Sequence, residues 1–200
     1  MVLPIVAYGD PVLRKVGVEV TKDYPDLEKI IADMFDTMHH ALGVGLAAPQ
    51  IGKAIRLFIV ETKPFTDSDE DEEEEDDEFT PEERKQLESF RKVFINAKIV
   101  TEEGEEWVFN EGCLSIPKIR EDVLRKPEIH IQYYDEHFKF HDEKYDGLIA
   151  RVIQHEFDHI EGKLFTDRIS PLKRRLLQGK LTDISKGKIT IGYRMRFPNK

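Results

Sequence analysis

Apolar residues recur at helical spacing in two stretches of this chain, and between those stretches they fall in short β-branched runs. Leu27, Ile30, Ile31, Met34, Met38 and Leu42 share one face, so the spacing predicts a helix over 27–42. Asp26 stands where an N-cap belongs, and Gly43 where a helix stops. A glycine-rich stretch over 43–52 leads into an apolar run, 55–60, that reads as a buried strand. After Pro81 comes a polar helix over 82–90, and the β-branched run 93–100 resumes the core. Gly104 marks a turn over 101–106, which predicts a hairpin returning 107–109 antiparallel beside the preceding strand. Short strands follow at 123–124, 129–135 and 138–141. The second helix spans 148–160 and is stopped by Gly162. Along it Leu148, Val152, His155 and His159 lie at spacings of four, three and four, so one stripe is both apolar and metal-capable. A basic helix after Pro171 and a strand-like tail over 189–197 close the chain, with no internal repeat. These elements predict an α+β fold, with short, mostly antiparallel strands in small sheets packed around the 148–160 helix.

Length and charge refine that picture. Two hundred residues with 40% apolar content suit one domain over 1–200. The net charge of -10 is concentrated: residues 67–78 hold eleven carboxylates, interrupted only by Ser68, and the rest of the chain carries +1. A near-neutral remainder predicts no specific nucleic-acid binding. The acidic run repels itself and has no apolar surface to bury, so it reads as a solvated, disordered insertion at about 66–80. A basic extension begins at about 171. No apolar run reaches the length of a membrane span, and the N-terminus has no basic flank, so a soluble, cytoplasmic protein with no membrane partner is expected. A single cysteine, Cys113, excludes an internal disulfide and suits a reducing compartment, where a lone thiol serves as metal ligand or nucleophile.

The strongest chemical signal is His155-Glu156-Phe157-Asp158-His159, an H-E-x-x-H on the second helix. Residues four apart project from one side of a helix, so two imidazoles can grip one metal while the glutamate between them faces water. The bland alternative, two unrelated histidines one turn apart, is weakened by the apolar stripe that turns the pair inward. His39, His40, His130, His137 and His141 lack such spacing and read as surface or satisfied core residues. An open catalytic site needs a third ligand. The extended protease pattern requires a histidine where this chain has Phe165, and no glutamate follows Glu161. Asp167 and Asp183 remain as weak candidates, and Cys113, the one soft ligand, is the natural supplier.

Three segments together resemble the motifs of the peptide deformylase family, in the same order: Gly43-Val44-Gly45-Leu46-Ala47-Ala48-Pro49-Gln50, Glu111-Gly112-Cys113-Leu114-Ser115, and Gln154 through His159. Asp10-Pro11-Val12-Leu13-Arg14 is similar as well, so the resemblance covers most of 1–180. It implies hydrolytic removal of the formyl group from N-formylmethionyl nascent polypeptides, with release of formate. Carried over by residue, it implies Cys113, His155 and His159 as metal ligands, Glu156 as general base and acid, and Gln50 with the Leu114 backbone N–H as oxyanion donors. It also implies a methionine pocket from Val44, Phe109, Leu148 and Val152, and peptide-backbone binding by Gly45 and Arg120. One divalent ion is implied, typically Fe2+, with Zn2+, Ni2+ or Co2+ able to take its place, and the ribosome is a possible partner. Core packing and a surface salt bridge explain the pocket residues and Arg120 about as well.

Three features depart from the compact family pattern: the acidic insertion, the basic strand-like tail after Ser185, and Arg151, which stands beside the pocket and is expected at its rim with its head in water. Two other functions compete. An H-E-x-x-H endopeptidase would share the water chemistry, and a non-catalytic protein would use the metal as a structural pin and the acidic run to recruit a basic partner.

Overall fold

The computed structural model describes residues 1–67 and 79–198. In chain order the elements are β1 (Ile5–Val6), α1 (Leu27–His40), β2 (Gly45–Ala47), β3 (Leu57–Glu61), α2 (Pro81–Ser89) and β4 (Arg91–Glu103). There follow β5 (Trp107–Cys113), β6 (Ile116–Arg125), β7 (Glu128–Tyr134), β8 (Phe140–Tyr145), α3 (Gly147–Ile160), α4 (Pro171–Ser185) and β9 (Met195–Arg196). The main sheet has the order β2-β3-β4-β7-β8 and is antiparallel throughout, β5 pairs with β6, and β1 pairs in parallel with β9.

Strand β3 shows why its sequence is a continuous apolar run. Leu57, Phe58, Ile59 and Val60 are all fully buried, because both faces of the strand are covered. Leu57 and Ile59 pack with Met34, Phe35 and Met38 of α1, while Phe58 and Val60 pack with Val152 and Ile153 of α3. The same alternation continues in β4, with Val93 and Ile95 toward α1 and Phe94 toward α3. A third apolar cluster joins the β5–β6 hairpin to α4 through Ile119, Val123, Leu177, Leu181 and Ile184. Helix α3 therefore lies in the middle of the molecule, and Ile149 through Gln154 are buried without a break. The α+β architecture of small antiparallel sheets around this helix is the one expected.

Several local expectations are corrected. Trp107–Phe109 does not pair with β4, which is flanked by β3 and β7; β5 instead pairs with β6, Trp107 opposite Arg125 and Phe109 opposite Val123. At the turn Gly104 is left-handed (φ 88°) and packed against Pro127, and β7 takes the place beside β4 because Ile129, Ile131 and Tyr133 bury against α3. Asp26 is itself left-handed (φ 57°) and makes no side-chain cap, although its carbonyl accepts the first helical bond from Ile30 N–H. Helix α1 ends at His40, so Leu42 is 90% exposed rather than on the buried face. At the stop it is Leu42 (φ 55°) rather than Gly43 that turns left-handed, while Gly43 N–H donates to Met38 O at 2.9 Å. Of the predicted tail strand only Met195–Arg196 is paired. The predicted acidic loop falls almost wholly on 68–78, outside the described residues. No helix among the described residues is long and apolar enough to cross a membrane.

Candidate active site

Helix α3 presents His155 and His159 on one side, and the end of β5 brings Cys113 to the same point. One ligand atom from each of the three lies within 4.8 Å of the others, and Cys113 Sγ is 3.4 Å from His159 Nε2. A tetrahedral ion with ligand arms of about 2.0–2.3 Å spaces its ligands roughly 3.5 Å apart, so the cluster has the size such an ion needs. Burial, and then the charge on His155, lower the pKa of His159 to about 3. The donor set, one thiol and two imidazoles, fits a divalent ion of intermediate softness.

Orientation of His155 comes from Glu111. Its Nδ1 lies 3.0 Å from Glu111 Oε2, which leaves Nε2 free to face Cys113. Burial lowers the affinity of His155 for protons, but its bonds to Cys113 and Glu111 reverse that and hold its pKa well above the ordinary value. Glu111 also accepts from Arg125 Nε and Nη2 at 2.7 and 2.9 Å and from Arg151 Nη1 at 3.0 Å. Burial raises its pKa, and Arg125 and His155 more than offset this, so it stays ionised well below the usual carboxylate range. Arg125 Nη1 reaches on to Asp158 at 2.7 Å, and Arg168 clamps Asp158 with two bonds of 2.6 and 2.7 Å. A chain of charges thus runs from His155 through Glu111 and Arg125 to Asp158, one turn along α3, and on to Arg168.

Glu156, on the next position of the helix, is 4% exposed, and its Oε2 has no hydrogen-bond partner among the described residues. Desolvation pushes its pKa up to about 7. The carboxyl presses against β2 at Gly45, where a Cβ would lie 2.5 Å from Oε1, so only glycine fits there. Gln50 follows β2 in a short 3-10 turn, and its Oε1 accepts from Ala47 N–H at 2.8 Å. That bond sets the amide orientation and turns Nε2 toward Cys113 Sγ at 3.5 Å and Ser115 Oγ at 3.3 Å. Leu114 sits in the tight turn from β5 to β6.

A cavity of about 580 Å³ opens over these groups. Val44, Gly45, Gln50, Phe109, Cys113, Leu114, Arg120, Val152, His155 and Glu156 all line it. His159 and Leu148 do not; Leu148 is half-buried and packs against the cluster containing Val44 and Val152. Arg120 bonds to Asn110, with Nε to Oδ1 at 3.0 Å, and keeps to the rim. Arg151 is not at a solvated rim as expected: it is 2% exposed, bonded to Glu111 and to the carbonyls of Val123 and Trp107, and stacked 4.4 Å from the Trp107 ring. The Glu111 carboxylate and the Trp107 ring meet the guanidinium there, although burial still outweighs them and lowers its pKa.

Sequence reasoning assigns no role to Glu111, Arg125 or Tyr193, the first appearing only as part of the 111–115 motif. For the first two a signal existed: alternation along β5 puts Glu111 on the inward face with Phe109, and alternation along β6 puts Arg125 there with Val123. A charged residue at an inward strand position asks for a partner. No pattern in the tail pointed to Tyr193.

A buried carboxyl beside a thiol-imidazole cluster, with an amide donor over it and an apolar recess next to it, defines a metal-dependent hydrolase of acyl bonds. Comparison with known proteins makes this specific. The polypeptide deformylase family profile matches residues 2–175. The chain is 59% identical over 197 residues to a peptide deformylase of Flavobacterium johnsoniae, covering 98% of this chain and 96% of that protein. It is 57% identical over 199 residues to one of Christiangramia forsetii, covering 100% and 97%. Among solved structures, the peptide deformylase of Thermus thermophilus superposes with a TM-score of 0.76 at 35% identity, covering 94% of this chain and 99% of that one. This chain belongs to the polypeptide deformylase family, metal-dependent hydrolases that remove the formyl group from the N-terminal amide of polypeptides.

Proposed function

We propose that in this deformylase Cys113, His155 and His159 hold the ion, Glu156 carries the proton, and Gln50 with the Leu114 N–H receives the developing oxyanion. The observation behind this reading is the convergence of three ligand atoms within 4.8 Å beside a buried carboxyl pushed up to about 7. When bound, a divalent ion supplies Lewis acidity, which acidifies water and polarises a carbonyl. Glu156 takes a proton from water as the water oxygen bonds to the formyl carbon. Gln50 Nε2 is already aimed across the cluster and donates to the oxygen that gains charge, a contribution of about 3 kcal/mol for one such donor. Glu156 then delivers its proton to the amide nitrogen as the C–N bond breaks, giving formate and a free amino terminus.

Strand β2 is an edge strand, so an extended peptide can pair along Gly45 while Arg120 holds it from the opposite side. Val44, Phe109 and Val152, backed by Leu148, supply an apolar recess for the methionine side chain. A formyl carbon carries only hydrogen, so a tight site would admit it while excluding acetyl and larger acyl groups. Ferrous iron as the ion, action on nascent chains beside the ribosome and a cytoplasmic location belong to the same proposal; a thiolate with two imidazoles suits Fe2+, Zn2+, Ni2+ and Co2+ alike.

The test is release of formate from a formyl-Met peptide by protein before and after complete chelation. Activity that needs the ion supports the reading, and activity that survives its removal overturns it. Cleavage of internal bonds in an unformylated peptide would favour an endopeptidase instead.

A further inference from the structure

The family match ends at residue 175, yet the chain returns to the cavity after it. β9 lies in parallel beside β1, with Ile5 N–H donating to Arg194 O and Ala7 N–H to Arg196 O, each at 2.9 Å. Those bonds hold the preceding residues against the cavity, where Ile191, Gly192 and Tyr193 form part of the wall. Tyr193 donates its hydroxyl to the Leu114 carbonyl at 2.8 Å. The neighbouring residues are tied as well: Tyr8 N–H donates to Ser115 O at 2.9 Å, and Gln50 Nε2 to Ser115 Oγ at 3.3 Å. Three remote parts of the chain therefore converge on residues 113–115.

The central peptide of that turn links Leu114 to Ser115, since Cys113 pairs with Ile116. Turn types I and II differ by rotation of this central peptide, so a tie on its carbonyl selects one geometry. Rotation would change ψ of Leu114 and φ of Ser115, and the adjoining Cys113–Leu114 peptide, which carries the Leu114 N–H next to the Cys113 thiol, is anchored through the same residue, Leu114. We propose that Tyr193 is a positioning residue for deformylation: its hydroxyl fixes the Leu114 carbonyl and thereby sets the turn that presents Cys113 and the Leu114 N–H. This rests on the roles proposed above for those two groups. It makes the C-terminal tail a working part of the site.

The test is Tyr193→Phe in the metal-loaded full chain, with steady-state kinetics on a formyl-Met peptide, metal content and melting temperature measured together. Loss of one aligning hydrogen bond lowers kcat per bound metal about three- to tenfold and leaves KM within about twofold. Metal content and melting temperature stay near those of the wild type. Wild-type kcat in the variant overturns the proposal, as does a rise in KM alone, or a loss that follows the metal content or the melting temperature. A wild-type protein that does not deformylate refutes the underlying reading instead, and that is seen before the variant is assayed.

Discussion

Replacing Glu111 by Gln keeps the shape of the side chain and removes one buried charge. In the folded protein that charge faces Arg125, Arg151 and His155, with four contacts between 2.7 and 3.0 Å. The Arg125 side chain is 0% exposed and that of Arg151 2%, so neither can turn to water for compensation. Arg125 keeps Asp158 at 2.7 Å, whereas Arg151 keeps only backbone carbonyls and aromatic faces. Removing one partner of a buried pair costs about 3–5 kcal/mol. At about 2–4 °C per kcal/mol for a chain of this size, the melting temperature falls by roughly 6–20 °C. The same change deprives His155 of the carboxylate that orients its ring, which lowers metal affinity about 10- to 100-fold. Guanidinium unfolding of the metal-free protein measures the first effect, and competition with a chromophoric chelator measures the second. A destabilisation below about 1 kcal/mol with unchanged metal affinity would refute the view that Glu111 joins the ion network to the metal cluster.

Gly45→Ala places a methyl group 2.5 Å from Glu156 Oε1 and must displace the carboxyl, so turnover should fall about a hundredfold at unchanged metal content, read by formate release. Glu156 must be ionised to accept a proton; burial pushes its pKa up to about 7 without the ion, and a bound cation moves it down. The acid limb of kcat for the loaded enzyme therefore lies below about 7, turnover being lost as pH falls through it, and a limb above 7 in the pH-rate profile would contradict this. Away from the site, Glu143 is destabilised by burial but held at a pKa of about 2 by bonds from Tyr133, Tyr145 and Lys92, against an ordinary 4.5. Its stabilisation is full above about 4.5 and is lost as pH falls through about 2, so Glu143→Gln should flatten the decline of melting temperature across that window.

What was legible in the sequence depended on how local the governing physics was. Helix α3 and its histidine pair follow from side-chain spacing, and the buried run of β3 from its composition, because each reflects contacts that repeat along the element itself. The pairing of Trp107–Cys113 with Ile116–Arg125 depends instead on which strand best covers β4. Proximity along the chain favoured β5, while the apolar face formed by Ile129, Ile131 and Tyr133 favoured β7. Arg151 misled for a related reason: a guanidinium beside an apolar pocket belongs in water unless a buried carboxylate meets it, and Glu111 arrives from 40 residues away. The three side chains that the family resemblance assigns to the metal come from two motifs, and the fold brings them within 4.8 Å. The tail's share of the cavity was not legible, since nothing in residues 189–197 shows that Tyr193 turns back to Leu114.

The most direct test of the proposed chemistry is formate release by Glu156→Ala, measured with a formyl-Met peptide at full metal occupancy. The expected result is a fall in turnover of about a hundredfold or more with metal content unchanged. Turnover equal to that of the wild type would contradict the assignment of the proton transfers to Glu156.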